Sequence, residues 1–109
     1  MHFPDKGSGS VAYAKARFFL DKYVFHALGK QLASFMATIR KEAGLTQVEL
    51  ARRLSRPQPM ISHIERGERR VDMLEFCEIA WALGQDPVEI FARFSREVLG
   101  PERNRPTGP

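Results

Sequence analysis

The chain reads as an all-α protein, a five-helix domain preceded by an additional N-terminal helix. Three observations predict this. Apolar residues recur at steps of three and four, helix-capping residues stand ahead of several of those stripes, and no segment alternates apolar and polar residues as a half-buried strand does. A length of 109 residues allows one small core with tails. A deep cofactor cleft is not expected in so small a chain, and no cofactor is predicted.

The elements follow in order. Residues 1–9 are rich in turn formers, and "KGSGS" has the composition of a flexible linker. A helix is predicted from Ser10, where Val11, Ala14, Phe18, Phe25 and Leu28 fall near a heptad spacing, and Gly29 is read as a break or bend. These residues, 1–27, form an N-terminal arm and extra helix; 28–99 form the main domain, and 100–109, "GPERNRPTGP", a disordered tail. Phe18, Phe19, Tyr23 and Phe25 offer more apolar area than one face buries, so the extra helix either caps the domain or joins a partner.

Leu28, Leu32, Phe35, Met36, Ile39 and Ala43 lie on one stripe of the next helix, which Gly44 stops. Thr46-Gln47-Val48-Glu49 is a capping box and opens a helix with Leu50, Ala51 and Leu54 on its apolar side. Pro57 and Pro59 then stand where another helix begins, one that carries Ile61 and Ile64 and stops at Gly67. Inside a helix each proline would cost about 3 kcal/mol. In the first turn the backbone donors have no intrahelical acceptor, so that penalty is absent and the helix is predicted to start at Gln58 or Pro59. Asp72 with Glu75 repeats the capping-box pattern ahead of Phe76, Ile79, Ala80 and Leu83. Asp86-Pro87 caps a last helix through Ile90, Phe91, Phe94 and Val98.

Charge is unevenly spread. The net charge is +4. Between residues 52 and 70 stand Arg52, Arg53, Arg56, Arg66, Arg69 and Arg70 against Glu65 and Glu68, whereas residues 71–90 carry five acidic residues and no basic one. Such polarity suits a surface of which one face meets a polyanion. A single cysteine excludes an intrachain disulfide, and His2, His26 and His63 lack metal-ligand spacing, so no metal site is expected. No apolar run approaches the roughly 18 residues of a membrane span, and the N-terminus lacks a secretory pattern. A cytoplasmic protein with no membrane partner is the expectation. Ser62 and His63 diverge by roughly 100° as helix neighbours and have no third partner, so no catalytic residue is assigned and no enzyme is expected.

Two short helices joined by a tight turn and followed by a basic segment match a helix-turn-helix. The segments "GLTQVELARRL", "SRPQPMISHIERGERR" and "VDMLEFCEIAWALGQDP" resemble the lambda-repressor/Cro-type, xenobiotic-response-element type family, and more closely its small stand-alone bacterial transcriptional regulators. The resemblance covers about residues 28–92. It implies a sequence-specific regulator, more often a repressor, that binds double-stranded DNA as a homodimer on a two-fold operator. By position, it implies that Gln47 bonds a phosphate and braces the recognition helix. Gln58, Pro59, Ser62 and His63 then face base edges, Gln58 being suited to bidentate adenine recognition. Arg56, Arg66, Arg69 and Arg70 flank the groove as phosphate contacts, and Arg40 with Glu65 forms an ion pair beneath the motif.

Three departures qualify the likeness. Ser55 stands at the turn glycine, Pro59 replaces the usual Ser, and His63 replaces the usual Lys. A left-handed Ser55 would cost about 1 kcal/mol, or the turn differs. A second reading is an antitoxin-like module that binds a protein partner through its N-terminal helix and represses its own promoter. Cys77 adjoins the buried stripe as a packed thiol. Trp81 falls off that stripe toward Leu74 and Cys77, either partly covered or a subunit contact.

Overall fold

A computed structural model of the chain describes residues 25–100, with side chains from His26 onward. The predicted arm, nearly all of the extra helix and the residues after Gly100 lie outside the described residues. Five α-helices follow one another: α1 (Phe25–Glu42), α2 (Gln47–Leu54), α3 (Gln58–Glu65), α4 (Met73–Ala82) and α5 (Pro87–Phe94), the last continuing into a π-helical turn, Ser95–Leu99. No strand occurs among the described residues.

One expected boundary is wrong. Gly29 lies inside α1, which runs unbroken from Phe25 to Glu42. Glycine lowers helix stability by about 1 kcal/mol but keeps its N–H, so the ladder continues where neighbouring turns are held by packing. Here Ala33, Phe35, Met36 and Ile39 are buried within two to three turns of it. Ala43 is also misplaced by the stripe argument, since α1 ends at Glu42 and Ala43 is exposed in the turn that follows.

Four helices end in the same way. After α1, Leu45 N–H donates to the Arg40 carbonyl at 3.3 Å and Gly44 N–H to that of Lys41 at 2.9 Å, a Schellman cap that drives Leu45 into the core. The pattern recurs at Gly67 and Gly84. It also recurs after α2, where Arg56 N–H reaches the Ala51 carbonyl at 3.0 Å around Ser55, at φ 55° and ψ 42°. Ser55 therefore keeps the left-handed turn. A Cβ in that conformation costs about 1–2 kcal/mol. We expect Ser55→Gly to raise stability by about 0.5–1 kcal/mol, seen as a higher urea midpoint at unchanged m-value.

Pro57 adopts φ −65° and ψ 140° as the residue before α3, which starts at Gln58 with proline in its first turn. The two prolines thus mark the beginning of the helix. Gln58 is helical although the ring of Pro59 biases a preceding residue toward extended backbone. The capping boxes of Thr46 with Glu49 and Asp72 with Glu75 are both formed, and the Asp86 carboxylate accepts from Val88 N–H ahead of α5.

Phe35, Met36 and Ile39 of α1 meet Leu50 and Ala51 of α2, Ile61 and Ile64 of α3, Phe76, Ile79 and Ala80 of α4, and Ile90 and Phe94 of α5. Phe35 and Phe94 pack edge to face with centroids 5.2 Å apart. Arg93 ties α5 to the end of α1 by a fork on Glu42 at 2.6 and 2.9 Å, bonds Glu97 at 3.1 Å, and lies over the Phe35 ring. Arg53 donates to the carbonyl of Ala82 at 2.8 Å, closing α2 onto the end of α4. The frame holds the α2–turn–α3 unit from both sides.

Candidate nucleic-acid interface

The burial of α3 decides which of its residues face outward. Ile61 and Ile64 are each 2 % exposed and point inward. With about 100° per residue, Pro59, Ser62 and His63 then occupy the opposite face, with Gln58 at its leading edge. Pro59 and His63 are exposed, while Gln58 and Ser62 are half-buried.

Beneath this face runs a continuous chain of hydrogen bonds, charge-assisted where it involves Arg40 and Glu65. Arg40 of α1 forks the Glu65 carboxylate, Nε to Oε2 at 2.7 Å and Nη2 to Oε1 at 2.9 Å, and donates from Nη1 to the Leu45 carbonyl at 2.7 Å. Both side chains are nearly enclosed, at 9 % and 7 % exposure. Bonding to Glu65 holds the Arg40 guanidinium above its usual pKa, against the opposing effect of burial. Gln47 Nε2 donates to Glu65 Oε1 at 2.9 Å, and Gln58 Nε2 donates to Gln47 Oε1 at 2.8 Å. The amide orientations follow from chemistry. An ionised carboxylate only accepts, so Gln47 must turn its NH2 toward Glu65, which leaves its oxygen for Gln58.

The result is a directional relay from a buried ion pair to a surface amide. Gln58 spends one N–H on Gln47 and retains a second N–H and its oxygen, adjacent and coplanar. Such a pair matches a neighbouring acceptor and donor on a flat partner, as on the edge of adenine.

The arginines are distributed differently. Arg66, directly after α3, has an exposed pair with Glu68 at 3.3 Å. Arg56 sits 3.8 Å from Glu78 of α4. Arg69 forks Glu75 at 3.0 and 2.7 Å and also reaches the carbonyl of Arg70, which is itself exposed. The acidic α4 thus lies against part of the basic segment rather than on a remote face. The exposed pairs of Arg56 with Glu78 and Arg66 with Glu68 are worth about 0–1 kcal/mol, so an incoming anion can displace them, whereas the Arg69 fork closes on a largely covered Glu75.

Glu75 serves two ends, the Arg69 fork and the α4 cap through Asp72 N–H at 3.1 Å. The bond from Arg69, then that from the Asp72 backbone, holds its carboxyl below the usual carboxylate range despite opposing desolvation. A lowered folded-state pKa gives stability that is present above the unfolded value and lost as pH falls through the folded one. Glu75→Gln should therefore flatten the loss of stability on acidification below about pH 4.3, measured by urea unfolding across that range.

The resemblance implied that Gln47 braces the recognition helix, but sequence reasoning did not find its partners Gln58 and Glu65, which lie 11 and 18 residues away. The one signal available was that all three stood among the residues assigned by resemblance. Among the described residues no group of three or more His, Cys, Asp or Glu is placed to hold a metal. Cys77 is a partly buried free thiol.

Comparisons with known proteins agree with this geometry. The family described as "Helix-turn-helix domain" matches residues 31–91. The uncharacterized HTH-type transcriptional regulator y4dJ of Sinorhizobium fredii is 39 % identical over 61 residues, which are 56 % of this chain and 79 % of that protein. The solved structure of an XRE-family like protein from Pseudomonas syringae pv. tomato superposes with a TM-score of 0.65 at 35 % identity, covering 72 % of this chain and 95 % of that one. With a family match over more than half its length, seated on the α2–turn–α3 unit, the chain belongs to the helix-turn-helix family of the XRE, lambda-repressor type.

Proposed function

We propose that the protein is a DNA-binding transcriptional regulator that recognises a specific duplex sequence through α3. The observation that carries this reading is the amide of Gln58, oriented by Gln47, Glu65 and Arg40 at the leading edge of an outward-facing helix. A helix about 10–12 Å across fits a major groove roughly 12 Å wide. In that pose Pro59, Ser62 and His63 face base edges, Gln47 and the first turn of α2 meet the backbone, and Arg56, Arg66, Arg69 and Arg70 exchange their present partners for phosphates. The family membership and the regulator name of the Sinorhizobium relative support the same reading.

The finer assignment is a homodimeric, cytoplasmic repressor on a two-fold operator, built from residues 28–99. The dimeric part of this assignment is supported by an exposed apolar surface. Leu74 and Trp81 on α4 are 74 % and 65 % exposed, and Val88 and Phe91 on α5 are 73 % and 47 % exposed. Leu74 and Trp81, seven residues apart, share the face of α4 opposite its buried side. Apolar surface of this kind marks a contact with another protein, and a second copy would set two α3 helices about 34 Å apart. Trp81, placed off the core stripe by its position in the sequence, is thus a subunit contact in this reading, and Phe91 is only partly drawn into the core.

Selection of bound sequences from random duplex DNA tests both levels. A palindromic consensus with half-sites one helical turn apart is the expected result. Enrichment of a single, non-repeated half-site would remove the dimer. No enrichment at moderate salt would remove sequence-specific binding.

A further inference from the structure

A cavity of about 660 Å³ opens between the first half of α1, the segment that follows α3, and Phe94 of α5. Its floor is apolar, made by Leu28, Leu32, Ala33, Ile64, Val71 and Phe94. Its rim is cationic: Lys30, Arg66, Arg69 and Arg70 border it, His26 adds an imidazole, and no Asp or Glu is among its described lining residues, although Arg66 and Arg69 reach Glu68 and Glu75 outside it. The volume lies within the roughly 300–1,000 Å³ of small-molecule sites.

Gly29 gives a second and independent observation. It stands inside α1, away from any turn, and a Cβ there would meet nothing within 4 Å among the described residues. Neither left-handed backbone nor close approach requires glycine there, although it weakens the helix. Gly29 does line the cavity. The consequence of its missing side chain is an open wall.

We propose that this cavity binds an amphipathic organic anion, a carboxylate carrying a medium-length hydrocarbon body, as a small-molecule effector. The hydrocarbon covers the floor, where each buried methylene contributes by leaving water. The carboxylate meets the rim at Lys30 and at Arg66, whose pair with Glu68 at 3.3 Å is exposed and exchangeable and whose planar fork suits a carboxylate bidentately. A neutral molecule of the same shape would gain the first contribution only. A polyanion too wide for the cavity would gain the second only. The occupied rim includes Arg66, so bound carboxylate would also compete with phosphate for it. That last consequence rests on the proposed DNA contacts, whereas ligand binding itself does not.

Calorimetric titration of the full chain, without DNA, with sodium decanoate below its micellar concentration tests the site, with 1-decanol as the neutral control. The expected result is one saturable site per chain for decanoate, at least about tenfold weaker for decanol, because each tenfold is a single charge-assisted contact of about 1.4 kcal/mol. Gly29→Phe should place a ring in the open wall and weaken decanoate binding at least about tenfold while thermal stability holds or rises. Arg66→Gln, on an exposed side chain, should weaken decanoate several-fold and leave decanol unchanged. Equal affinity for the two probes, wild-type binding by Gly29→Phe, or no saturable site for decanoate would overturn the proposal. Titrating DNA in a separate arm keeps the two readings apart. Loss of DNA binding leaves the effector site standing, and loss of decanoate binding leaves α3 as the reader.

Discussion

Arg40→Ala is expected to remove about 3–5 kcal/mol of folding stability, the penalty for leaving a nearly enclosed charge without its partner. Glu65 loses the fork at 2.7 and 2.9 Å and retains only the Gln47 amide, and the Leu45 carbonyl loses a donor at 2.7 Å. Domains of this size have about 5–15 kcal/mol in total, so the melting temperature should fall by more than about 10 °C. The measurement is equilibrium urea unfolding with calorimetry. Arg40→Met combined with Glu65→Leu should recover most of the loss, because two apolar residues need no partner. If Arg40→Ala costs under about 1 kcal/mol, the pair behaves as a solvated surface bridge and the account of the relay fails. The double variant separates two roles that a single deletion confounds. It should fold nearly normally yet leave Gln47 unanchored, so any defect in DNA reading it shows belongs to orientation rather than to unfolding.

The legible part of this molecule was the part written over three or four neighbouring residues. Thr46 with Glu49, Asp72 with Glu75, and Asp86 before Pro87 each satisfy backbone groups within their own turn, so the residues alone indicate the start of a helix. Pro57 and Pro59 were legible for the same reason. Gly29 was misread because a glycine stops a helix only when the backbone turns left-handed there, and its neighbours hold it straight. Leu45 and Ala33 join the core for reasons outside the local pattern, one pulled in by the Schellman cap, the other facing Gly67 across α1 and the end of α3. The arginines show the limit most plainly. Composition separates a basic segment from an acidic helix, yet Arg56 and Arg69 reach Glu78 and Glu75 because α4 folds back beside them. Charge counted along a chain carries no account of which charges meet in space.

Gln58→Ala should weaken binding to the selected operator by about 1–3 kcal/mol, roughly 5- to 150-fold in Kd, with a much smaller change on random DNA. Its amide loses one N–H to Gln47 at 2.8 Å, and the remaining N–H and oxygen form the pair that a base edge can accept and donate to. The loss is specific because only one base presents the matching pair in the major groove, so discrimination at that position should relax together with affinity. Gln47→Ala should reproduce part of the effect without touching the base, since it frees the Gln58 amide to rotate. Arg66→Ala provides the contrast. Its only described ion pair is the exposed one with Glu68 at 3.3 Å, and a phosphate contact there adds affinity for any duplex. It should therefore weaken operator and random DNA alike and reduce the slope of log K against log salt by about one unit. Arg69→Ala is a poorer probe, because it also removes the fork on Glu75 and disturbs the start of α4. Titrations on both DNAs at several salt concentrations distinguish the classes. Equal losses for Gln58→Ala on the two DNAs would make it a backbone contact, and recognition would then fall to Ser62 and His63 further along α3.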